Sequence, residues 1–425
     1  MNLLVFAGAP LFLLLAGLPI FLVLLAAALL GILYRGDVPL QAVHTAMFGA
    51  LDSFALLAVP LFIFAGDLMA RGGIARRLIE LALSLVGGIR GSLALATILS
   101  ASLFGAMSGS SVACVAAIGK LTLPSLEQKG YGRTFGVSLI TATGVIDVII
   151  PPSIPMIIYG IAAQVSIPKL FLAGIVPGLL IAFFLSIYVL IRAQVQMIPL
   201  GDPTRWRNIW LTLKEAIWAL LAPVIILGGI YGGVFTPTEA AGIACLYAAL
   251  VSVLIYRELS LGDVWRIMTE SAILIAQIMI VVSAAGAYAW LITTSGVSGM
   301  VVGFIQDLAL ETWLLLLCIN LILLLVGSTL EPPAAILLLA PLLSPIVASA
   351  GIDPIHFGLV VTVNLAIGLF LPPFGLNLFA SHALFGTPLP VLYRGVLPFL
   401  GIYLFVLALL TYVPAITLAP LKLFE

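Results

Sequence analysis

Apolar residues run along this chain in long unbroken stretches with short polar links between them. The stretches fall at roughly 3–34, 50–70, 92–119, 135–163, 170–195, 216–234, 240–256, 270–294, 312–350, 357–380 and 396–418. Most approach or exceed the ~20 residues that a helix needs to cross the hydrocarbon of a bilayer. The alternating segments of ~10 residues that mark a membrane β-barrel do not occur. The pattern therefore predicts an all-α polytopic membrane protein, with the first stretch as its first span rather than a cleaved signal, being too long and too apolar for one.

Composition sharpens this reading only at a few points. Of 425 residues, 63% are hydrophobic and 8% charged, more apolar surface than a soluble domain can bury. The net charge is zero, so no nucleic-acid partner is indicated. The three cysteines, Cys114, Cys245 and Cys318, lie far apart inside apolar runs and read as small packing residues.

The longest polar link, residues 192–215, holds Arg192, Arg205, Arg207 and Lys214, and the positive-inside tendency makes it cytoplasmic. Its Trp206 and Trp210, with Trp218 just beyond, predict an amphipathic helix lying near the headgroups. The link also separates two similar halves. Gly105 matches Gly327, Pro124 matches Pro345, Gly130 matches Gly351, and Phe135-Gly136 matches Phe357-Gly358. Pro151-Pro152 matches Pro372-Pro373, and Tyr34-Arg35 matches Tyr256-Arg257. An ordered set of matches at nearly one offset argues for an internal duplication. The expected organisation is a first repeat over 1–195, a connection over 196–215 and a second repeat over 216–425.

Each half has the same order: a segment broken by small residues or proline, a glycine turn, then a span interrupted by Pro-Pro. Breaks at Gly105–Gly109 and Gly327–Pro333 predict helical hairpins, about 92–129 and 313–350, that enter the membrane and return to the same side. Broken helices follow at about 135–163 and 357–380. Irregular backbone at that depth survives only where protein or a water-filled cavity satisfies it. The base of the first hairpin carries Lys120, Lys129 and Arg133, whereas 341–358 has no Lys or Arg. That difference predicts bases on opposite sides of the membrane, hence inverted repeats.

The breaks are also where chemistry is expected. Proline removes an N–H and frees carbonyls of the preceding turn. Those carbonyls, with Ser and Thr hydroxyls, form an oxygen set suited to sodium, and half-helix N-termini suit an anion. The pieces concerned are "GAMSGSS" (105–111) and "TATGVIDVIIPPS" (141–153), then "GSTLEPP" (327–333) and "NLAIGLFLPPF" (364–374). Small residues in membrane helices also serve simply as packing surfaces, and it is the pairing of two hairpins with two breaks that favours a site.

Asp147 stands out, because a carboxylate at mid-span costs about 2.5–3.5 kcal/mol on insertion scales. It either binds an ion or proton, or is satisfied by N–H groups of the break. Glu331 sits beside the second break. Glu239 is expected to belong to a helix cap at Thr238. Asp52 and Asp67 are expected at the ends of the second span, and His44, His356 and His382 at turns or interfaces.

"SGSS", "IPPSIPMIIYG", "GVFTPTEAAG" and "LPPFGLNLF", in this order and spacing, resemble the large membrane subunit of the tripartite ATP-independent periplasmic (TRAP) transporters along essentially the whole chain. The resemblance implies a bacterial inner-membrane secondary transporter. It would take up organic acids with sodium, receive its carboxylate substrate from a periplasmic binding protein, and pair with a small four-helix membrane subunit. No such subunit is expected to be fused, since the sequence starts with a large-subunit span. The implied fold has inverted repeats, with hairpins and broken helices moving as an elevator against a scaffold.

Carried over by position, the resemblance implies a first sodium site at Ser108 and Ser110, with Gly144, Val148 and Pro151 supplying backbone oxygens. A second would use Gly327, Thr329, Gly368 and Pro372. The substrate would lie between the hairpin tips, with Ser110, Ser111, Ser153, Thr329 and Asn377 expected to meet it. Asp147 departs from the family pattern, which more usually has glycine there; it is expected to add a carboxylate ligand for sodium or to couple a proton. The alternatives are a stand-alone sodium/carboxylate symporter or antiporter of related architecture, and an intramembrane serine hydrolase using "MSGSS", which would need a histidine partner.

Overall fold

Helices form along the apolar stretches, and glycines and prolines decide where they stop. The computed structural model describes residues 8–35, 39, 41–201, 203 and 205–423. In the first half the helices are α1 (Ala9–Leu15), α2 (Ile20–Arg35), α3 (Gln41–Leu51), α4 (Ala58–Arg71), α5 (Ile74–Leu85), α6 (Ser92–Ser108), α7 (Ser111–Gln128), α8 (Arg133–Thr143), α9 (Ile154–Ala162) and α10 (Ile167–Val195). In the second they are α11 (Trp206–Tyr231), α12 (Pro237–Leu250), α13 (Leu261–Thr294), α14 (Val297–Asp307), α15 (Thr312–Thr329), α16 (Pro332–Ser349), α17 (Pro354–Gly368), α18 (Leu376–Phe385), α19 (Leu389–Tyr412) and α20 (Ala415–Leu418). Among the described residues there is no strand, and eight helical stretches are long and apolar enough to cross a membrane.

The duplication is visible element by element. From α2 and α12 onward, α5 corresponds to α14, the hairpin α6–α7 to α15–α16, the broken helix α8–α9 to α17–α18, and α10 to α19. Both double prolines are cis. The halves also exchange contacts reciprocally. The returning arm α7 packs on α18 of the other half, and its counterpart α16 packs on α9. One difference is instructive. Helix α13 runs unbroken for 34 residues, whereas its counterpart is divided into α3 and α4 by a 3-10 turn at Phe54–Leu57. Asp52 and Ser53 precede that turn, and such side chains compete with the helix for backbone hydrogen bonds.

Several expectations are corrected. The stretch 3–34 is not one span: α1 ends at a turn where Gly17 has φ +83° and Pro19 follows, and α2 begins afresh. Residues 1–7 lie outside the described part. The tryptophan-bearing link does not form a separate interfacial helix. Trp206, Trp210 and Trp218 are exposed on α11, which continues from them into the next span. Three short helices, α3, α5 and α14, were not expected. In α5 the residues Ile74, Ala75, Leu78, Ile79 and Ala82 are buried at helical spacing while Arg76 and Glu80 face outward, an amphipathic pattern that a search for apolar runs passes over. The cap near Glu239 is centred on Thr236, whose side chain accepts from the Glu239 N–H while the Glu239 carboxylate accepts from Thr236. The Thr238 hydroxyl instead donates to the Phe54 carbonyl at 3.0 Å.

One apolar core gathers around α4, α12 and α13, and a second around α8, α10, α17 and α19. The base of the first hairpin (Ser92, Ser125, Lys129) lines one hollow with Ile198 and Gly201, where the polar link begins. Both belong to one face of the molecule.

Candidate substrate and ion site

The tip of the first hairpin is built by a single residue with positive φ. Helix α6 ends at Ser108, Gly109 turns at φ +65°, and Ser110 is extended before α7 starts at Ser111. A side chain at Gly109 would be strained by its backbone and would put Cβ 3.2 Å from the Pro152 carbonyl oxygen. The tip thus lies directly on the double-proline break. Helix α8 passes into a 3-10 turn at Gly144–Val148, and α9 restarts behind Ser153. Glycines hold these backbones together. A Cβ on Gly105 would stand 2.9 Å from the Cα of Asp147, and one on Gly144 3.2 Å from the Ser111 carbonyl oxygen.

Asp147 is wholly buried at that contact, and neither carboxylate oxygen makes a hydrogen bond. The polar groups around it are the Ser108 side chain and the backbone of Ser110 and Gly109, without full hydrogen-bond geometry. The reading in which N–H groups of the break serve this carboxylate thus keeps the support of the Ser110 and Gly109 N–H groups, which lie beside it. A buried unpaired charge is costly and calls for a counter-charge. The carboxylate and the Ser108 hydroxyl are oxygen ligands of the kind a hard cation such as sodium takes, whereas the N–H groups beside them favour the bare anion.

The second repeat has no such group. Gly368 replaces the aspartate and presses on Gly327 so closely that a Cβ would lie 2.2 Å from the Gly327 carbonyl carbon. The hydroxyls at this tip are those of Ser328 and Thr329, which donate to the Leu325 and Val326 carbonyls at 2.7 and 3.0 Å. Pro372 is half-buried in the break.

Both hairpin tips open on one cavity of about 480 Å³. Ser108–Val112 and Val148 line it from the first repeat, and Glu331–Pro333 line it from the second. Helix α4 closes it with Asp67 and Arg71, and α13 with Leu274 and Ile278. Of the residues expected at the substrate, Ser110 and Ser111 line this cavity. Thr329 lines an adjoining one of about 360 Å³, which Glu331 shares. Ser153 and Asn377 are fully buried and are not among its lining residues. Ser153 caps α9 and donates to the Val148 carbonyl. Asn377 accepts from the Ser111 hydroxyl at 3.0 Å, which ties α18 to the tip of the first hairpin. Gly144, Asp147 and Pro151 are buried in the break behind that tip, as Gly327 and Gly368 are in the second repeat.

Asp67 and Arg71 were not expected at the site. Asp67 lies one turn from the end of α4, as expected of a span end, and accepts from the Ser271 hydroxyl, while Arg71 pairs with Glu270. The available signal was two charges four residues apart near the end of an apolar span, one helical turn on the same face. No histidine lines the cavity: His356 meets the Thr417 hydroxyl, and His382 the Thr387 carbonyl. The hydrolase alternative thus lacks the histidine partner it needs next to its serines.

The comparisons with known proteins decide the family. The family model for the "tripartite ATP-independent periplasmic transporter, DctM component" matches residues 8–416. The chain belongs to the DctM family of TRAP transporters. It is 41% identical over 395 residues to the C4-dicarboxylate TRAP large permease of Pseudomonas aeruginosa, covering 93% of this chain and 92% of that one. It is 39% identical over 396 residues to the ectoine/5-hydroxyectoine large permease of Ruegeria pomeroyi, again covering 93% and 92%. An isethionate permease of Oleidesulfovibrio alaskensis named DctMQ is 42% identical over 393 residues, which are 92% of this DctM chain and 62% of that protein. In fold, the chain resembles the YdaH transporter of Alcanivorax borkumensis, with a TM-score of 0.63 at 16% identity, over 95% of this chain and 97% of that one. The relatives are transporter permeases, and this DctM chain is a multi-pass membrane permease rather than an enzyme.

Proposed function

We propose that this DctM chain carries a small organic acid into bacteria across the inner membrane, driven by sodium. In this reading a soluble periplasmic binding protein delivers the substrate and a small four-helix membrane subunit accompanies the chain. The names of its relatives support the substrate class: they include permeases for C4-dicarboxylates, sialic acid and 2,3-diketo-L-gulonate. Sodium coupling rests on one observation above the others, the buried and unpartnered Asp147 carboxylate against the first hairpin tip. Sodium would be held by Asp147 with Ser108, Ser110 and the backbone oxygens of Gly144, Val148 and Pro151, and a second ion by Gly327, Thr329, Gly368 and Pro372. The bound cation would supply positive charge behind a tip whose free N–H groups face the cavity. The hairpins and broken helices would then move together past α4 and α13, with the two repeats inverted relative to each other.

The test is uptake into proteoliposomes holding this chain, its small subunit and its binding protein. Uptake is expected only with an inward sodium gradient and only with the binding protein. Sodium should also raise the melting temperature of the purified chain, and Asp147→Asn should remove most of that rise. Equal uptake with and without sodium overturns the coupling, and uptake without the soluble protein marks a stand-alone symporter instead.

A further inference from the structure

The hollow at the base of the first hairpin shares no lining residue with the cavity at the tips. It measures about 250 Å³ and lies between α5 (Leu83), the start of α6 (Ser92), the end of α7 (Ser125, Lys129) and the link (Ile198). Tyr131, in the turn after α7, lines it as well. This residue is only 4% exposed, and its hydroxyl has no hydrogen-bond partner of full geometry. The Ala94 N–H lies beside the phenol oxygen. That contact uses the oxygen as an acceptor, so the hydroxyl hydrogen is a buried donor with no acceptor, which is costly. Ala94 sits in the first turn of α6, where N–H groups have no partner within the helix. The Ser92 N–H donates to the Ile89 carbonyl at 3.3 Å, which leaves those of Leu93 and Ala94 at the positive end of the helix. Ser92 and Ser125 bring hydroxyls to the same walls, and Lys129 brings an ammonium. Among the described residues no carboxylate lines the hollow, and Glu127, two residues before Lys129, is engaged by Arg133.

We infer that this hollow is a second anion site, which takes a small oxyanion, phosphate or carboxylate, from the cytoplasm. The Tyr131 hydroxyl, the first turn of α6 and Lys129 hold it there. The side follows from Lys129, Arg133 and the basic link, which the positive-inside tendency places in the cytoplasm. An anion in this position joins the base of the hairpin to α5 and to the link. Helix α5 packs on α11 as well as on α6. The occupant therefore holds the hairpin base against α11 and slows any movement of the hairpin. That last step rests on the proposed sliding of the hairpins, whereas the binding itself does not.

The experiment titrates the purified full-length chain with inorganic phosphate and, separately, with succinate at constant ionic strength, and follows the melting temperature. At least one anion is expected to raise it. Tyr131→Phe keeps the ring and removes the hydroxyl. It should weaken that binding about tenfold or more, as loss of a hydrogen bond to a charged group does. A cooperative melt shows that the variant is folded; if it is not, Ser125→Ala takes its place with the same expected direction. No response to either anion overturns the site, as does a response that the variant leaves unchanged, which for succinate marks binding at the hairpin tips instead. The second arm measures sodium-driven uptake into proteoliposomes loaded with the anion that binds, against chloride. Uptake by the unmodified chain is expected to be severalfold slower with the anion inside, and Tyr131→Phe should lose that slowing. Binding with unaltered uptake overturns the hold on the hairpin and leaves the site. Absence of sodium-driven uptake under either filling overturns the transport reading, while the melting titration still decides the site.

Discussion

At Gly368 a methyl group has nowhere to go. Its Cβ would fall 2.2 Å from the carbonyl carbon of Gly327 and 2.3 Å from the oxygen, both backbone atoms that no rotamer change can move. In the first repeat the position of Gly368 is held by Asp147, whose side chain the crossing accommodates, and a Cβ on Gly105 would stand 2.9 Å from the Asp147 Cα. Overpacking a well-filled site costs about 1–3 kcal/mol and more where backbone must shift. Gly368→Ala is therefore expected to lower the melting temperature more than Gly105→Ala, and thermal unfolding of the two purified variants checks the order. A larger effect at Gly105 would mean that Asp147, rather than backbone contact, sets the spacing of the first crossing.

At the scale of elements, the entry into α12 is stapled twice. The capping box between Thr236 and Glu239 satisfies the first turn, and Thr238 reaches across to the Phe54 carbonyl before α4. Thr236→Ala is expected to cost about 1 kcal/mol, the usual loss on removing a side-chain cap. Thr238→Ala should cost about 0.5–1.5 kcal/mol for one hydrogen bond, and the two losses should add only in part because the groups are neighbours. Melting temperatures of the single and double variants test both statements. The same segment shows what a sequence makes legible. A Thr-Pro-Thr-Glu run announces a helix start, and its Thr-x-x-Glu spacing with proline at the first helical position assigns the cap to Thr236 locally; only the bond from Thr238 to Phe54 is a long-range fact. The hairpins and double-proline breaks were legible for the same local reason: Gly109, Pro151-Pro152 and Pro372-Pro373 act on their own backbone. Helices α3, α5 and α14 were not, because they are short or amphipathic and an apolar-run search averages them away. The site divides in the same manner. Ser110 and Ser111 follow from the turn they flank, whereas Asn377 and Ser153 turn inward to bond other segments, and Asp67 and Arg71 reach the cavity only because α4 packs against the hairpin.

For the whole molecule, the proposed motion separates two kinds of glycine contact. Gly286 on α13 faces α3, and a Cβ there would lie 2.2 Å from the Ala50 Cβ. Both helices belong to the body around α4, α12 and α13, so this contact is internal to a unit that stays together. Gly66 on α4 faces the hairpin tip instead, where a Cβ would lie 2.8 Å from the Ser108 carbonyl oxygen. If the hairpins and broken helices slide past α4, that contact forms and breaks in every cycle. Gly286→Ala is then expected to lower the melting temperature while leaving uptake per folded transporter near its original rate. Gly66→Ala is expected to slow uptake severalfold, of the order that about 1 kcal/mol on a barrier produces, while sodium still stabilises the purified chain. Measuring initial uptake rates normalised to folded protein, beside the sodium-induced melting shift, distinguishes the two. If Gly66→Ala behaved like Gly286→Ala, losing stability at unchanged rate, α4 and the hairpin would have to travel as one body, and the sliding surface would lie elsewhere.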